Sequence, residues 1–276
     1  MSQKSKVRLR TENIAGLEFT KLNIREIDEI VIGWIGQNRR DRQMTKSGRV
    51  GSKMIFCVPP HSVELARRDE GFGHAMNRCD IVTPDGIGIV IASFLLGGSI
   101  RKRVCGPDLF MSLCTRFRAE EGGVSVFLLG PADQTVKLVR ERLSREFPAI
   151  KVVGGYAPPF VAEFEGAIVD EIAARVEDSG ADVVFIGLGA PKQEKLASKL
   201  SSRIKPTVII PIGGVFDFYS GRIKLPPRAL QSLGLIWAYR LFQEPVRLFR
   251  RNLDGPIFIM RVVLEGASRC FRRSAD

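Results

Sequence analysis

The sequence predicts an α/β fold, built on a mostly parallel, Rossmann-like sheet with helices on both faces. Short apolar runs typical of buried strands alternate with longer segments that can form crossover helices. The predicted strands are Lys53–Val58, Asp80–Thr83, Val124–Leu129, Lys151–Val153, Asp182–Gly187 and Thr207–Pro211. The predicted helices are Gly106–Glu121, Asp133–Phe147, Val161–Asp178 and Pro191–Ser202. With 276 residues, of which 45% are hydrophobic, the chain can bury a large core.

The character of the chain changes after Gly221. Residues 222–276 contain 11 Lys and Arg against 4 Asp and Glu, and the strand alternation ends. We therefore expect an α/β catalytic domain over residues 1–221 and a basic, helical appendage over residues 222–276.

The end of this appendage, GPIFIMRVVLEGASRCFRR, is amphipathic at helical spacing. Its polar stripe consists of Arg261, Glu265, Arg269 and Arg272. Much of the remaining surface is apolar and consists of Ile257, Phe258, Met260, Val262, Val263, Leu264 and Phe271. Such a helix can pack on the core of its own protein, or it can lie on an anionic membrane. The basic cluster at Arg247, Arg250 and Arg251 favours the membrane.

The composition limits the partners and the compartment. A net charge of +12 and a pI near 9.8 attract nucleic acid, anionic lipid or phosphorylated small molecules. The five cysteines form no C-x-x-C pair, which indicates reduced thiols in the cytoplasm. The two histidines, His61 and His74, are too few for a typical zinc site and are interpreted as structural or surface residues. No apolar run reaches the roughly 18 residues of a membrane span, and the basic N-terminus lacks the apolar core of a secretion signal.

The loop TPDGIG follows a predicted strand and contains Asp85 and Gly86. Ligands of open α/β sheets lie beyond the carboxyl ends of the strands, so a carboxylate here can act as a general base. Gly86 permits the backbone to approach a ligand closely. Alternatively, Asp85 only caps the helix that follows, at residues 86–97.

A second loop, GLGAPKQE, begins like the dinucleotide-binding pattern G-x-G-x-x-G. Lys192 stands at the position of the third glycine, which makes a dinucleotide site a weak interpretation. Gly187 and Gly189, followed by Pro191 at a helix start, still predict a seat for a diphosphate, because backbone N–H groups there point at the anion.

A third loop, PIGGVFDFYSG, places the pair Gly213 and Gly214 after the last predicted strand, followed by Phe216 and Asp217. This arrangement can hold a nucleoside, or it can be an ordinary turn. The chain contains no D-x-D triplet, so the manganese-binding signature of many sugar transferases is missing.

Seven motifs occur in order along the chain: TPDGIGIV, RVCGPDLF, FLLGPADQTV, GGYAPPF, ADVVFIGLGAPKQEK, PIGGVFDFYSG and GLIWAYRLFQEPVRLFRR. Together they resemble the WecG/TagA/CpsF family, glycosyltransferase family 26. The resemblance covers roughly residues 50 to 252. Each motif alone is weak, whereas the ordered set is specific.

The resemblance implies an inverting, metal-independent transferase that moves a hexose-type sugar from a UDP-sugar to an undecaprenyl-diphosphate-linked sugar. The product would enter a bacterial exopolysaccharide or another surface polymer. The resemblance implies neither a cofactor nor a nucleic-acid partner, and it places the enzyme in the cytoplasm, on the inner face of the cell membrane. A homo-oligomer stays open. Such chemistry requires a carboxylate for the acceptor hydroxyl and positive groups for the departing diphosphate.

The resemblance also assigns residues. Asp85 matches the base, Arg103 matches the arginine before the family's G-x-D, and Gln193 matches the glutamine of P-K-Q-E. Donor or substrate binding is expected at Gly86, Asp108, Gly187, Gly189, Lys192, Gly213, Gly214, Phe216, Asp217, Arg240 and Arg247. The basic tail resembles a membrane-docking appendage that also closes over the active site.

Some positions depart from the family pattern. The stretch Cys57–His61 stands where many relatives carry T-x-N-P-E, and Leu225 and Ile236 replace residues usual near the tail. The first change lies where a sugar can be contacted, so the donor sugar stays open. Two other classes also remain: a nucleotide-dependent oxidoreductase, which requires the fingerprint that Lys192 breaks, and a non-catalytic basic module for lipid or nucleic acid, in which Asp85 is dispensable.

Overall fold

A computed structural model of the chain describes residues 9–44, 51–224 and 245–273, together with the positions 227, 230, 238, 239 and 241. An antiparallel hairpin of β1 (Thr11–Ile14) and β2 (Leu17–Thr20) begins the fold. The central sheet contains β3 (Lys53–Val58), β4 (Ile81–Pro84), β5 (Val124–Leu129), β6 (Ile150–Tyr156), β7 (Val183–Ile186) and β8 (Val208–Pro211). These six strands are all parallel and lie in the order β4-β3-β8-β7-β5-β6.

Helices cover both faces of this sheet. They are α1 (Ile24–Met44), α2 (Pro60–Arg68), α3 (Glu70–Asn77), α4 (Ile87–Leu95), α5 (Gly106–Phe117), α6 (Asp133–Glu146), α7 (Gly166–Ser179), α8 (Lys192–Ser201), α9 (Val215–Tyr219) and α10 (Pro245–Arg273). The predicted fold class, a parallel α/β sheet with a helical C-terminal appendage, is confirmed.

Alternation along each strand produces two separate cores. In β7, Val184 and Ile186 face one side of the sheet, while Val183 and Phe185 face the other. The first core lies under the hairpin, α2, α3, α4, α7, α8 and α10, and the second under α1, α5, α6 and α9. Strands buried on both faces are apolar at most positions, as β7 and β8 are throughout, which is why the sequence shows apolar runs here.

Several boundaries differ from the prediction. β6 continues to Tyr156, because its pairing with β5 carries on past a register shift between Val126 and Phe127. α7 begins at Gly166 and not at Val161, and the loop before it places Phe164 in the core. The hairpin and the helices α1 to α3 were not predicted.

An ion-pair cluster closes the edge of the sheet opposite to the carboxyl ends. Asp182 is buried before β7 and accepts hydrogen bonds from Arg39 and from Arg42, with nitrogen–oxygen distances of 2.6 and 2.9 Å. The backbone N–H and the hydroxyl of Ser125 also donate to it. Burial raises the pKa of the Asp182 carboxyl, but these donors outweigh burial and hold the pKa below its usual value.

The helix α10 packs against α2 and α4. Phe258 and Val262 are fully buried in the first core, and Arg261 forms two hydrogen bonds, of 3.0 and 3.2 Å, with the buried carboxylate of Glu64. The interpretation as a helix packed on its own core is therefore confirmed for this face, and Arg261 turns inward from the polar stripe that the spacing predicted. The division into domains at residue 221 stays a prediction. Within the part of the chain that the structure describes, no helix is long and apolar enough to cross a membrane.

Candidate active site

A cavity of about 580 Å³ lies beyond the carboxyl ends of β3, β4, β7 and β8. Such a volume is typical of sites for small molecules. The helices α2, α4, α5 and α8 all contribute their first residues, or the residues just before them, to its wall. Each helix N-terminus carries partial positive charge and unsatisfied backbone N–H groups, so the wall is suited to an anion such as a diphosphate.

Asp85 is half-buried in this wall, directly after β4. Its backbone N–H donates to the carbonyl of Val58 at 3.2 Å, which fixes the loop to the end of β3. The N-cap position of α4 is Gly86, at φ 92°, and no side chain caps this helix. The alternative that Asp85 is the cap is therefore wrong. The positive φ at Gly86 disfavours any residue with a Cβ and lets the chain turn so that Asp85 lines the cavity.

Arg103 lines the same cavity. The segment around it is fixed to the end of β4 by two hydrogen bonds: the Val104 N–H donates to the Pro84 carbonyl, and the Thr83 hydroxyl donates to the Val104 carbonyl, both at 2.9 Å. Because Asp85 follows Pro84 in the chain, these bonds hold the carboxylate and the guanidinium in one wall.

Two cysteines, Cys57 and Cys105, also line the cavity. Burial raises the pKa of both thiols well above the usual range, and the negative charge of Asp85 raises each pKa further. The thiols are therefore neutral near pH 7. The Cys105 thiol donates a hydrogen bond to the Asp108 carboxylate at 2.9 Å.

Gln193 joins the two glycine loops. Its side-chain oxygen accepts from the backbone N–H of Gly189 and from that of Gly213, each at 3.0 Å, and its amide nitrogen donates to Glu194 at 2.7 Å. The side chain is buried and lies in the cavity wall with Gly189, Gly213 and Gly214. Gln193 therefore fixes the relative position of the loops after β7 and β8.

Four other predicted donor residues do not line the cavity. Phe216 is fully buried, and its ring fills the space beside Gly187, where a Cβ would come within 2.7 Å of it. Asp217 lies 3.6 Å from Arg222. Asp108 is exposed at the first turn of α5. Direct contact of these residues with a donor stays a prediction.

Lys192 does not line the cavity either. Its ammonium donates to the Val161 carbonyl and lies 4.3 Å from the centroid of the Phe160 ring. Lys192 thus holds the loop before α7, and its predicted contact with a donor stays untested. Arg240 lies outside the described residues, as does the side chain of Arg247.

The chain matches the Glycosyl transferase WecG/TagA/CpsF family over residues 13–271. The chain belongs to this family. It is thus a glycosyltransferase, and neither the oxidoreductase nor the non-catalytic module is retained.

Two curated relatives of the family carry the same name, N-acetylglucosaminyldiphosphoundecaprenol N-acetyl-beta-D-mannosaminyltransferase. The chain is 34% identical to the protein from Bacillus spizizenii (strain ATCC 23059 / NRRL B-14472 / W23) over 213 residues, which cover 77% of this chain and 79% of the relative. It is 29% identical to the protein from Bacillus subtilis (strain 168) over 260 residues, which cover 93% of each.

The cavity of this glycosyltransferase also contains His61, which the sequence indicated to be structural or at the surface and which ends the stretch Cys57–His61 where a sugar can be contacted. His61, at the start of α2, lies in the wall, and its Nε2 is 3.3 Å from the Ser62 hydroxyl. Its position just after β3, at the carboxyl edge, was the available signal. No contact was assigned to His61 individually, because α2 was not predicted. The apolar side chains of Ile87, Ile91 and Ile259, which also line the cavity, were not assigned either.

No group of three or more His, Cys, Asp or Glu side chains that could hold a metal ion occurs among the described residues of this family member. Metal independence stays a prediction, because it can be tested only by measuring turnover without metal ions.

Proposed function

We propose that this glycosyltransferase moves a hexose-type sugar from a UDP-sugar to a sugar on undecaprenyl diphosphate, with inversion and without a metal ion. The observation that carries the proposal is the position of Asp85. Its carboxylate lines the cavity, beside helix N-termini and Arg103, and it does not cap α4. A carboxylate base beside an anion-binding wall is the arrangement that inverting transfer from a diphosphate donor requires.

In the proposed reaction the acceptor hydroxyl attacks the anomeric carbon from the face opposite to the diphosphate. Asp85 takes the hydroxyl proton as the new glycosidic bond forms and the bond to UDP breaks. Negative charge grows on the departing diphosphate, and Arg103 and the backbone N–H groups at the starts of α2, α5 and α8 stabilise it. Gln193 acts indirectly, by holding the loops that contain Gly189 and Gly213.

The names of the two relatives make N-acetylmannosamine the first candidate for the donated sugar and N-acetylglucosamine the first candidate for the acceptor sugar. The wall of the cavity contains Cys57, Pro59, Pro60 and His61, and these residues are placed to contact one of the two sugars. Glucose and glucuronate are therefore included in the test.

The acceptor in this proposal is anchored in the membrane, so the enzyme works at the inner, cytoplasmic surface. The basic tail supplies attraction to an anionic leaflet, worth about 1 kcal/mol for each Lys or Arg near the surface. Use of the product in an exopolysaccharide or another surface polymer, and assembly into a homo-oligomer, stay predictions.

The proposal is tested by incubating the protein with UDP-N-acetylmannosamine, UDP-N-acetylglucosamine, UDP-glucose and UDP-glucuronate. A donor at 100 times its Kd stabilises the folded state by about 2.7 kcal/mol, so the correct one raises Tm measurably. Turnover is then followed with undecaprenyl-diphosphate N-acetylglucosamine. If no UDP-sugar raises Tm and none is transferred, the proposed function is wrong.

A further inference from the structure

The helix α4 is apolar on its outer side as well as on its inner side. Its sequence, IGIVIASFL, contains no charged residue. Ile89, Ala92 and Ser93 face the core. Ile87, Ile91, Phe94 and Leu95 are exposed at 43%, 42%, 69% and 44% of their surface. Their spacing of four, three and one residues places them on one face of the helix. A surface helix normally carries polar residues there.

The helix α10 adds a second row of exposed apolar residues beside the first. Opposite its buried Phe258 and Val262, this helix exposes Ile257, Met260, Val263 and Leu264, by 36%, 60%, 50% and 62%. The two helices are in contact, and a Cβ at Gly266 would lie 3.7 Å from the carbonyl oxygen of Leu95. The two rows therefore form one continuous apolar surface, larger than scattered single side chains produce.

This surface reaches the mouth of the cavity. Ile87 and Ile91, which belong to the row on α4, also line the cavity. On α10 the cavity is lined by Pro256 and Ile259, which lie next to the exposed row in the chain. A molecule whose polar end occupies the cavity can therefore leave its apolar end against the same two helices.

Cations lie at the far end of α4. Arg101 and Lys102 are exposed in the segment that follows the helix, and the Arg101 guanidinium lies 5.9 Å from the centroid of the Phe94 ring. An anionic leaflet supplies opposite charge to this border. A second copy of a chain with a net charge of +12 would instead bring like charge against like.

We propose that the outward faces of α4 and α10 form one membrane face, defined by Ile91, Phe94, Leu95, Met260, Val263 and Leu264, which inserts into an anionic bilayer. The proposal rests on the function proposed above and extends it. The C-terminal tail, which includes α10, is then not the only docking element, because the α/β unit also docks through α4. Docking in this orientation holds the mouth of the cavity at the level of the headgroups. A lipid-linked diphosphate sugar then enters the cavity while its hydrocarbon chain stays in the bilayer.

The test measures binding of the full-length protein to vesicles by co-sedimentation. One set contains phosphatidylglycerol and phosphatidylcholine, and a second set contains phosphatidylcholine alone. The variant Phe94→Ser/Leu95→Ser removes apolar area from α4, at residues that do not line the cavity, and Met260→Ser/Leu264→Ser does the same on α10. Met111→Ser is the matched control, since Met111 is 40% exposed on α5, on the other side of the sheet.

We expect wild type and Met111→Ser to bind anionic vesicles equally, and both double variants to bind at least tenfold more weakly. Turnover of the double variants on a short-chain, water-soluble acceptor should remain within twofold of wild type. On an acceptor embedded in anionic vesicles, the turnover of the double variants should be at least tenfold lower than that of wild type. Should Phe94→Ser/Leu95→Ser fail to fold, which its Tm reports, Phe94→Ser alone is measured in its place.

Unchanged vesicle binding by the α4 variant overturns the proposal, as does a wild-type protein that ignores anionic vesicles at low salt. A loss of dimer in sedimentation velocity, with vesicle binding unchanged, assigns the face to a second copy and also overturns it. A failure of the proposed function gives a different result from these two. In that case the wild type transfers no sugar to the soluble acceptor, regardless of how strongly it binds vesicles.

Discussion

Asp85, Arg103 and Gln193 meet in one wall of the cavity, but their side chains act differently. Asp85 and Arg103 line the space in which a substrate fits, and their backbone segments are bonded to the ends of β3 and β4. Gln193 uses its amide to bind two loops to each other. The first two are therefore expected to act on substrate, and Gln193 to act by positioning.

Replacing Asp85 with Asn removes the base and leaves the size of the side chain nearly unchanged. We expect kcat to fall by about 10²- to 10⁴-fold, the usual contribution of general base catalysis. The Kd for UDP should hardly change, because the carboxylate acts on the acceptor. Asp178→Asn, at an exposed site near the end of α7, is the control. A kcat close to that of wild type in Asp85→Asn would falsify the assignment.

Gln193→Met keeps the volume of the side chain but removes the acceptor for the N–H groups of Gly189 and Gly213. An unpaired buried donor costs about 1–3 kcal/mol, so both loops should loosen. We expect faster hydrogen exchange at these two amides, a weaker UDP complex and a lower kcat. If the two amides stay as protected as in wild type, the positioning role is wrong, even if activity is lost.

At the scale of elements, the site is built from the starts of helices. The helices α2, α4, α5 and α8 begin at the wall of the cavity, each following a strand or a loop fixed to one. The helix α10 completes the wall with Pro256 and Ile259, and its pairing with Glu64 fixes it to α2. Secondary-structure elements that are distant in the chain thus meet at one edge of the sheet.

The helix starts also predict how the reaction responds to metal removal. Backbone N–H groups and Arg103 are expected to neutralise the diphosphate, so turnover should survive an excess of EDTA. The measurement compares initial rates with EDTA alone and with EDTA followed by excess Mn²⁺ or Mg²⁺. Activity that EDTA abolishes and either ion restores would contradict this prediction.

The attachment of α10 is tested by Arg261→Met. This change keeps much of the apolar stem but removes the two hydrogen bonds to the buried carboxylate of Glu64. Each hydrogen bond to a charged group contributes about 1.5–3 kcal/mol, and the change leaves the buried Glu64 carboxylate without both donors, so the free energy of unfolding should fall by at least that amount. Arg67→Met, at an exposed site on the same helix as Glu64, is the control. A cut after Gly255 would remove Phe258 and Val262 from the first core and should lower Tm, so such a cut does not isolate membrane binding.

At the scale of the whole molecule, the carboxyl ends and the amino ends of the strands differ in function. The carboxyl edge holds the cavity, with glycines and half-buried polar groups. The opposite edge is closed by Asp182, Arg39, Arg42 and Ser125, whose hydrogen bonds tie α1 to β5 and β7.

The lowered pKa of Asp182 makes this edge sensitive to acid. A carboxyl whose pKa is lower in the folded state stabilises the fold above its unfolded pKa, near 3.9, and loses that contribution as the pH falls through the folded pKa. We expect Asp182→Asn to lower the free energy of unfolding by about 1.5–3 kcal/mol at pH 7, because it weakens the charge-assisted hydrogen bonds from Arg39 and Arg42, which are themselves partly exposed. Its stability should then depend less on pH below about 4 than that of wild type. Urea unfolding at several pH values measures both effects, and an equal pH dependence of variant and wild type would contradict the account.

The sequence by itself determined the parallel sheet, since strands buried on both faces are mostly apolar, as β7 and β8 are at every position. The sequence also determined which loops line the candidate active site, because the carboxyl ends of parallel strands all lie at one edge of the sheet. The tertiary structure alone decided that Gly86 and not Asp85 is the N-cap of α4, that Phe216 packs beside Gly187, and that Arg261 turns inward to Glu64. Each of these depends on a contact between segments far apart in the chain or on a backbone angle, and neither leaves a periodic signal in the sequence.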